Sequence, residues 1–93
     1  MKTHELKSWP EYFSALWDGR CTFDLRINDR DFKAGDILWL REWDDMSKKY
    51  TGRELRKRVT YVLEGIGYGA IAPVRGLFRG YTIVSLVDET TGR

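Results

Sequence analysis

The sequence predicts an α+β fold: a small, mostly antiparallel β-barrel with one short N-terminal helix packed against it. Three observations carry this expectation. Strand-like alternation of apolar and polar residues recurs over residues 22–27, 37–43, 54–64 and 81–87. Apolar residues at helical spacing occur once, near the start. At 93 residues the chain has room for one core, and sheets this small curl or close to protect their edges.

The elements follow in order. Residues 4–7 read as a short strand. Pro10 suits a first helical position. Tyr12, Phe13, Leu16 and Trp17 then make one apolar face, and Gly19 is a C-terminal stop, which gives a helix over residues 10–18. Residues 22–27 place Phe23, Leu25 and Ile27 on one face and Thr22, Asp24 and Arg26 on the other. The apolar row is expected to face the core. Residues 33–36 read as a turn. Residues 37–43 form a strand with Leu38 and Leu40 buried and Ile37, Trp39, Arg41 and Trp43 opposite. Residues 44–52 read as a hairpin loop. Residues 54–64 form a long strand, with Leu55, Lys57, Val59, Tyr61 and Leu63 sharing a face. Residues 65–80 are glycine-rich and read as a long loop or flap, with Arg75 and Arg79 able to reach a ligand. A last strand covers 81–87, and residues 88–93 read as a loose tail of the single domain 1–93.

Composition bounds the function. The chain is 42% hydrophobic and 32% charged, too apolar for a disordered segment. A net charge of +2 creates no global pull on nucleic acid, so a polyanion site must be a local patch. One cysteine excludes an intramolecular disulfide and fits a reducing cytoplasm. The first residues carry no signal-peptide core, and the longest uncharged run, 65–74, is too short to span a bilayer. The expectation is a cytoplasmic protein with no membrane partner. One His and one Cys offer no zinc set, so no metal or other cofactor is expected, and Asp29 and Asp31 read as turn formers.

Candidate function concentrates in residues 19–31. A turn glycine leads into a strand whose polar face carries Asp24 and Arg26, followed by Asn28, Asp29, Arg30 and Asp31. Such a cluster is either a salt-bridged structural corner or the polar floor of a cleft. Arg26 has the fork of donors that grips phosphate or a base edge. Asp24 can accept from an exocyclic amine. Cys21, between Arg20 and Arg26, is either a nucleophilic thiol or a small filler; the single histidine, His4, is a weak partner for it. Trp39 with Arg41, and Arg56 with Arg58, read as stacking platforms and phosphate contacts or as core and solvated face. Trp9 lines a cleft mouth or staples the helix start. Gly65, Gly67 and Ala70 formally fit G-x-G-x-x-A, but no βαβ unit surrounds them.

Several stretches resemble the DUF3850 family: His4-Glu5-Leu6-Lys7, Pro10-Glu11-Tyr12-Phe13, Gly35-Asp36-Ile37-Leu38, Tyr50-Thr51-Gly52-Arg53-Glu54 and Gly80-Tyr81-Thr82-Ile83-Val84. The family looks like a branch of the ASCH domains within the PUA-like superfamily. The resemblance implies a PUA-like pseudo-barrel with a cleft and an RNA or nucleotide role. Of the ASCH signature G-x-K-x-x-E-x-R, Gly19 and Arg26 match, Asp24 stands for the glutamate, and Cys21 replaces the lysine. Hydrolytic ASCH-like proteins use that lysine, so its loss turns the reading from catalysis to binding. The expected site is a non-catalytic cleft for RNA or a nucleotide-like ligand, built from Lys7, Arg20, Asp24, Arg26, Asn28, Arg30 and Arg41. The alternatives are a small hydrolase of a modified nucleoside with Asp24 as general base, and a protein-interaction or phage/mobile-element accessory domain.

Overall fold

The computed structural model describes residues 1–27, 29–65 and 80–89. Its elements are β1 (Thr3–Ser8), α1 (Pro10–Trp17), β2 (Phe23–Ile27), β3 (Ile37–Asp44), β4 (Lys49–Glu64) and β5 (Tyr81–Asp88). The strands form one sheet in the order β1-β3-β4-β5-β2. β1 runs parallel to β3, and the other pairs are antiparallel. The sheet curls into a half-barrel that brings its two outer strands, β1 and β2, face to face. The expected α+β class, with a barrel-like sheet and one short helix, is the architecture found. The flap expected at 65–80, with Arg75 and Arg79, lies mostly outside the described residues, as do Asn28 and residues 90–93.

Helix α1 forms for local reasons. Pro10 forces the preceding Trp9 into an extended conformation (φ −73°, ψ 146°), and Trp9 serves as the N-cap. The Phe13 N–H then donates to the Trp9 carbonyl at 2.8 Å, closing the first turn. Gly19 at φ +86° ends the helix, a left-handed conformation that costs a glycine little. Phe13 and Leu16 point into the core, where they meet Leu6, Phe32, Leu38, Leu40, Val59, Val84 and Leu86.

The strands depart from the expected pattern at several places, beginning with β1, which runs one residue beyond each expected end, from Thr3 to Ser8. The hairpin at 44–52 is shorter than predicted, because β4 already begins at Lys49. β5 runs on to Asp88, and the next residue, Glu89, pairs with Arg56, so the expected tail begins later. In β4 the pairing register slips between Val59 and Tyr61. One inserted residue turns every later side chain to the opposite face. Tyr61 and Leu63 therefore leave the inward face of Val59, and Val62 takes their place opposite Val84. The largest departure is β2. Its apolar row faces outward, with Phe23, Leu25 and Ile27 more than half exposed, while Asp24 is 2% exposed. The reason is the neighbouring edge: among the described residues β1 has carbonyls with no strand to pair them, and Arg26 supplies donors that an apolar side chain lacks.

The turn before β3 is held by a buried carboxylate. Asp36 accepts hydrogen bonds from the Lys2 and Lys33 N–H groups, both at 3.0 Å, and pairs with His4 Nε2 at 2.9 Å. The His4 ring packs on Phe32 with centroids 4.7 Å apart. Burial pushes the Asp36 carboxyl upward, but His4 and the two N–H donors outweigh it and hold the group below its ordinary value of 3.8. A depressed carboxyl contributes stability above its unfolded value and loses it as pH falls through the folded one. Asp36→Ala is therefore expected to cost about 3 kcal/mol near pH 7. Urea unfolding should show the difference from wild type shrinking below about pH 4.

Candidate functional site

The seam between β1 and β2 is closed by side chains rather than by a backbone ladder. The Arg26 guanidinium reaches across from β2 and donates from Nη2 to the Lys7 carbonyl at 2.9 Å. Arg30 Nη1 donates to the Glu5 carbonyl at 3.1 Å. Glu5 and Lys7 are two residues apart, so both carbonyls point to the same side of β1. Arg26 also holds Asp24, with Nε 2.8 Å from Oδ2. Asp24 and Arg26 share a strand face because they too are two residues apart. The buried carboxylate thus has its counter-charge beside it on the same strand.

Arg26 divides the seam into two cavities of about 320 Å³ each, which share Leu25 and Arg26 as lining. The first is the richer in chemistry. Its walls are Trp9, Tyr12 and Phe23, and its floor is Ser8, Asp24 and Arg26. Trp9 is 53% exposed and stands at the mouth, while Phe23, 51% exposed, borders the cavity from the outward face of β2. Ser8 is 1% exposed, and its hydroxyl has no hydrogen-bond partner among the described residues. Buried hydroxyls are nearly always paired, which makes this one unusual. The Tyr12 hydroxyl donates to the Phe23 carbonyl. Burial, and then the negative charge of Asp24, push the Tyr12 phenol well above its ordinary range, so it stays protonated as a donor. The second cavity is lined by Leu6, Ile27, Asp29, Arg30 and Phe32 beside the shared pair.

The expected site residues are distributed unevenly over this geometry. Asp24 and Arg26 form the floor of the first cavity, and Arg30 lines the second. Lys7 lines the first cavity, but its ammonium lies 4.0 Å above the Trp43 ring. The group it offers the seam is its carbonyl. Arg41 is not brought to the cleft. It is held by Glu5 at 2.8 Å and Glu54 at 3.1 Å and lies 4.0 Å from the Tyr50 ring centroid. Those two carboxylates hold its guanidinium protonated beyond the ordinary range. Arg20 is 68% exposed and pairs with Asp18 at the helix exit. Asn28 lies outside the described residues.

The Cys21 thiol donates to the Phe23 carbonyl at 3.3 Å, and its side chain packs against the core. His4 is committed to Asp36 inside the fold. Among the described residues, no group of three or more His, Cys, Asp or Glu side chains is placed to hold a metal ion. No helix among them is long and apolar enough to cross a membrane.

Four residues of the first cavity are not read as site residues in the sequence: Ser8, Tyr12, Phe23 and Leu25. Ser8 continues the His4, Leu6 alternation of β1, so its inward position was open to inspection. Ending the strand at residue 7 hid it. Phe23 and Leu25 belong to an apolar alternation that predicts burial, a rule that fails on an edge strand with a polar inner face.

Comparison with known proteins agrees with the sequence resemblance at family level. The chain is 35% identical over 63 residues to a protein of Escherichia phage P2, described as an uncharacterized 12.9 kDa protein in the GpA 3′ region. The match covers 68% of this chain and 56% of the phage protein, so the chain spans about half of that relative. The profile of DUF3850, a domain of unknown function, matches residues 3–86, and the chain belongs to that family.

Proposed function

We propose that the groove between β1 and β2 binds RNA or a nucleotide-like ligand without chemistry. The observation that carries this reading is the first cavity itself: half-exposed aromatic residues border a floor holding a paired carboxylate, a guanidinium and a buried hydroxyl with no partner among the described residues. Aromatic faces stack bases, and the mixed floor offers donors and acceptors to a base edge. Its volume is at the small end of ligand pockets and suits one base or nucleoside rather than a long strand. The resemblance to ASCH domains of the PUA-like superfamily supports the same reading.

Binding is preferred to hydrolysis on the site's own chemistry. The hydrolytic alternative needs Asp24 as a general base open to a reacting group, and Asp24 is buried and already engaged by Arg26 Nε at 2.8 Å. A second reading, a mobile-element accessory domain, is favoured by the similarity to a phage protein.

The test is fluorescence anisotropy with labelled single-stranded and hairpin RNA at several salt concentrations. Affinity should fall linearly in log salt. Trp9→Ala should weaken binding by about 1–3 kcal/mol, and Ser8→Ala should weaken it without lowering the thermal midpoint. Absence of binding at low salt, or binding indifferent to both substitutions, would refute the reading.

A further inference from the structure

The outward turn of β2 leaves a broad uncharged surface. Its rows can be read from the pairing registers. Tyr61, Ser85 and Phe23 lie side by side across β4, β5 and β2. Leu63, Ile83 and Leu25 form the next row, and Tyr81 and Ile27 the third. None of these positions carries a charge. Five are substantially open: Ile27 at 64%, Tyr61 at 62%, Leu25 at 54%, Phe23 at 51% and Tyr81 at 45%.

The rest of the outer surface is built differently. Over β1, β3 and β4, Arg41 covers Tyr50 and Lys7 covers Trp43, and glutamates pair with the arginine. Among the described residues, one half of the barrel therefore clothes its aromatics in charge, and the other half leaves them without a charged cover. Bare apolar patches of this extent mark contact surfaces.

We infer that this face is a dimer interface, on which a second copy of the chain packs sheet against sheet around a two-fold axis. Two arguments select a second copy as occupant. A surface without charge meets its own copy without like-charge repulsion, and the same patch then serves both partners. The area is also sufficient: five half-exposed large side chains offer on the order of 500 Å² per copy. Two copies together reach about 1,000 Å², the lower bound for a specific interface. Face-to-face sheets of this kind pack about 10 Å apart with interdigitating side chains. An interface at the lower bound of area is expected to form a weak, concentration-dependent dimer.

Sedimentation velocity on the full chain from about 5 to about 200 µM tests this. The expected result is a concentration-dependent shift from monomer to dimer. Tyr61→Lys and Tyr81→Lys lie in different rows and strands of the face, and neither lines either cavity of the seam. Each should weaken the dimer at least about tenfold, with far-ultraviolet dichroism and the thermal midpoint unchanged. A wild-type chain that stays monomeric throughout the range overturns the inference, since the face would then be covered by something other than a second copy. Dimers that survive both substitutions overturn it equally.

Discussion

Arg53→Ala is expected to lower the free energy of unfolding by about 3 kcal/mol near pH 7. Glu42 sits on β3 facing the core, only 4% exposed. Its two oxygens are gripped by Arg53, from Nε at 3.0 Å and from Nη2 at 2.8 Å, and Thr51 donates a third bond at 2.7 Å. The guanidinium also lies 5.1 Å from the ring centroids of both Phe13 and Trp17, which ties the sheet to α1. Removing the arginine leaves a buried carboxylate without a counter-charge, the costly case for such a pair. Removing the glutamate instead leaves Arg53 at 41% side-chain exposure, free to turn to water. The two substitutions should therefore differ, with Arg53→Ala the more damaging.

The pH dependence follows from the same contact. Arg53, and then Thr51 against the opposing effect of burial, hold the Glu42 carboxyl below its ordinary 4.5. In the wild type that contribution is present above the unfolded value and is lost as pH falls through the folded one. Without Arg53, burial prevails and the carboxyl rises, so the variant takes up its proton at a higher pH. The stability difference should be widest near neutrality and narrow below about pH 4. Urea unfolding of wild type, Arg53→Ala and Glu42→Gln at neutral and acid pH measures it. A cost below about 1 kcal/mol, or one that does not change with pH, would contradict the assignment.

Much of this arrangement was legible in the chain. Pro10, the Phe13–Leu16 spacing and Gly19 placed the helix to within a residue. The alternation of Leu38 and Leu40 placed β3 and its inward face. What failed had two physical causes. Periodicity carries no information about an inserted residue, so the slip in β4 reversed Tyr61 and Leu63 without a local sign. Periodicity also says which residues share a face and not which face is inward. For β2 that choice depends on β1, whose pairing to β3 crosses more than thirty positions of sequence. The grouping of Asp24 with Arg26 was therefore right, and the direction of Phe23, Leu25 and Ile27 was reversed. The same limit explains Arg41: its residue type suited a phosphate contact, but only the pairing of β3 with β1 and β4, which brings the Glu5 and Glu54 side chains to it, reveals that its charge is already engaged.

Arg26→Ala should open the seam and cost about 3 kcal/mol, because one side chain performs two tasks there. It neutralises Asp24, which is 2% exposed, and it gives the Lys7 carbonyl a donor at 2.9 Å. The alternatives of a structural corner and a cleft floor are thus not exclusive, since the ion pair that closes the half-barrel is also the floor of the first cavity. The two tasks can be separated. Asp24→Asn removes the charge that needs neutralising while keeping the shape, so Arg26→Ala should be milder in that background. A double-mutant cycle is expected to give a coupling of about 2 kcal/mol between the two positions. The part of the loss that remains in the Asp24→Asn background reports the seam itself. Arg26→Lys should recover some of the ion pair but not the bridge, because a single ammonium lacks the fork that holds Asp24 and the Lys7 carbonyl at once. Additive single substitutions, with coupling below about 0.5 kcal/mol, would show that Asp24 is satisfied by other donors and that Arg26 is not the closure of the barrel.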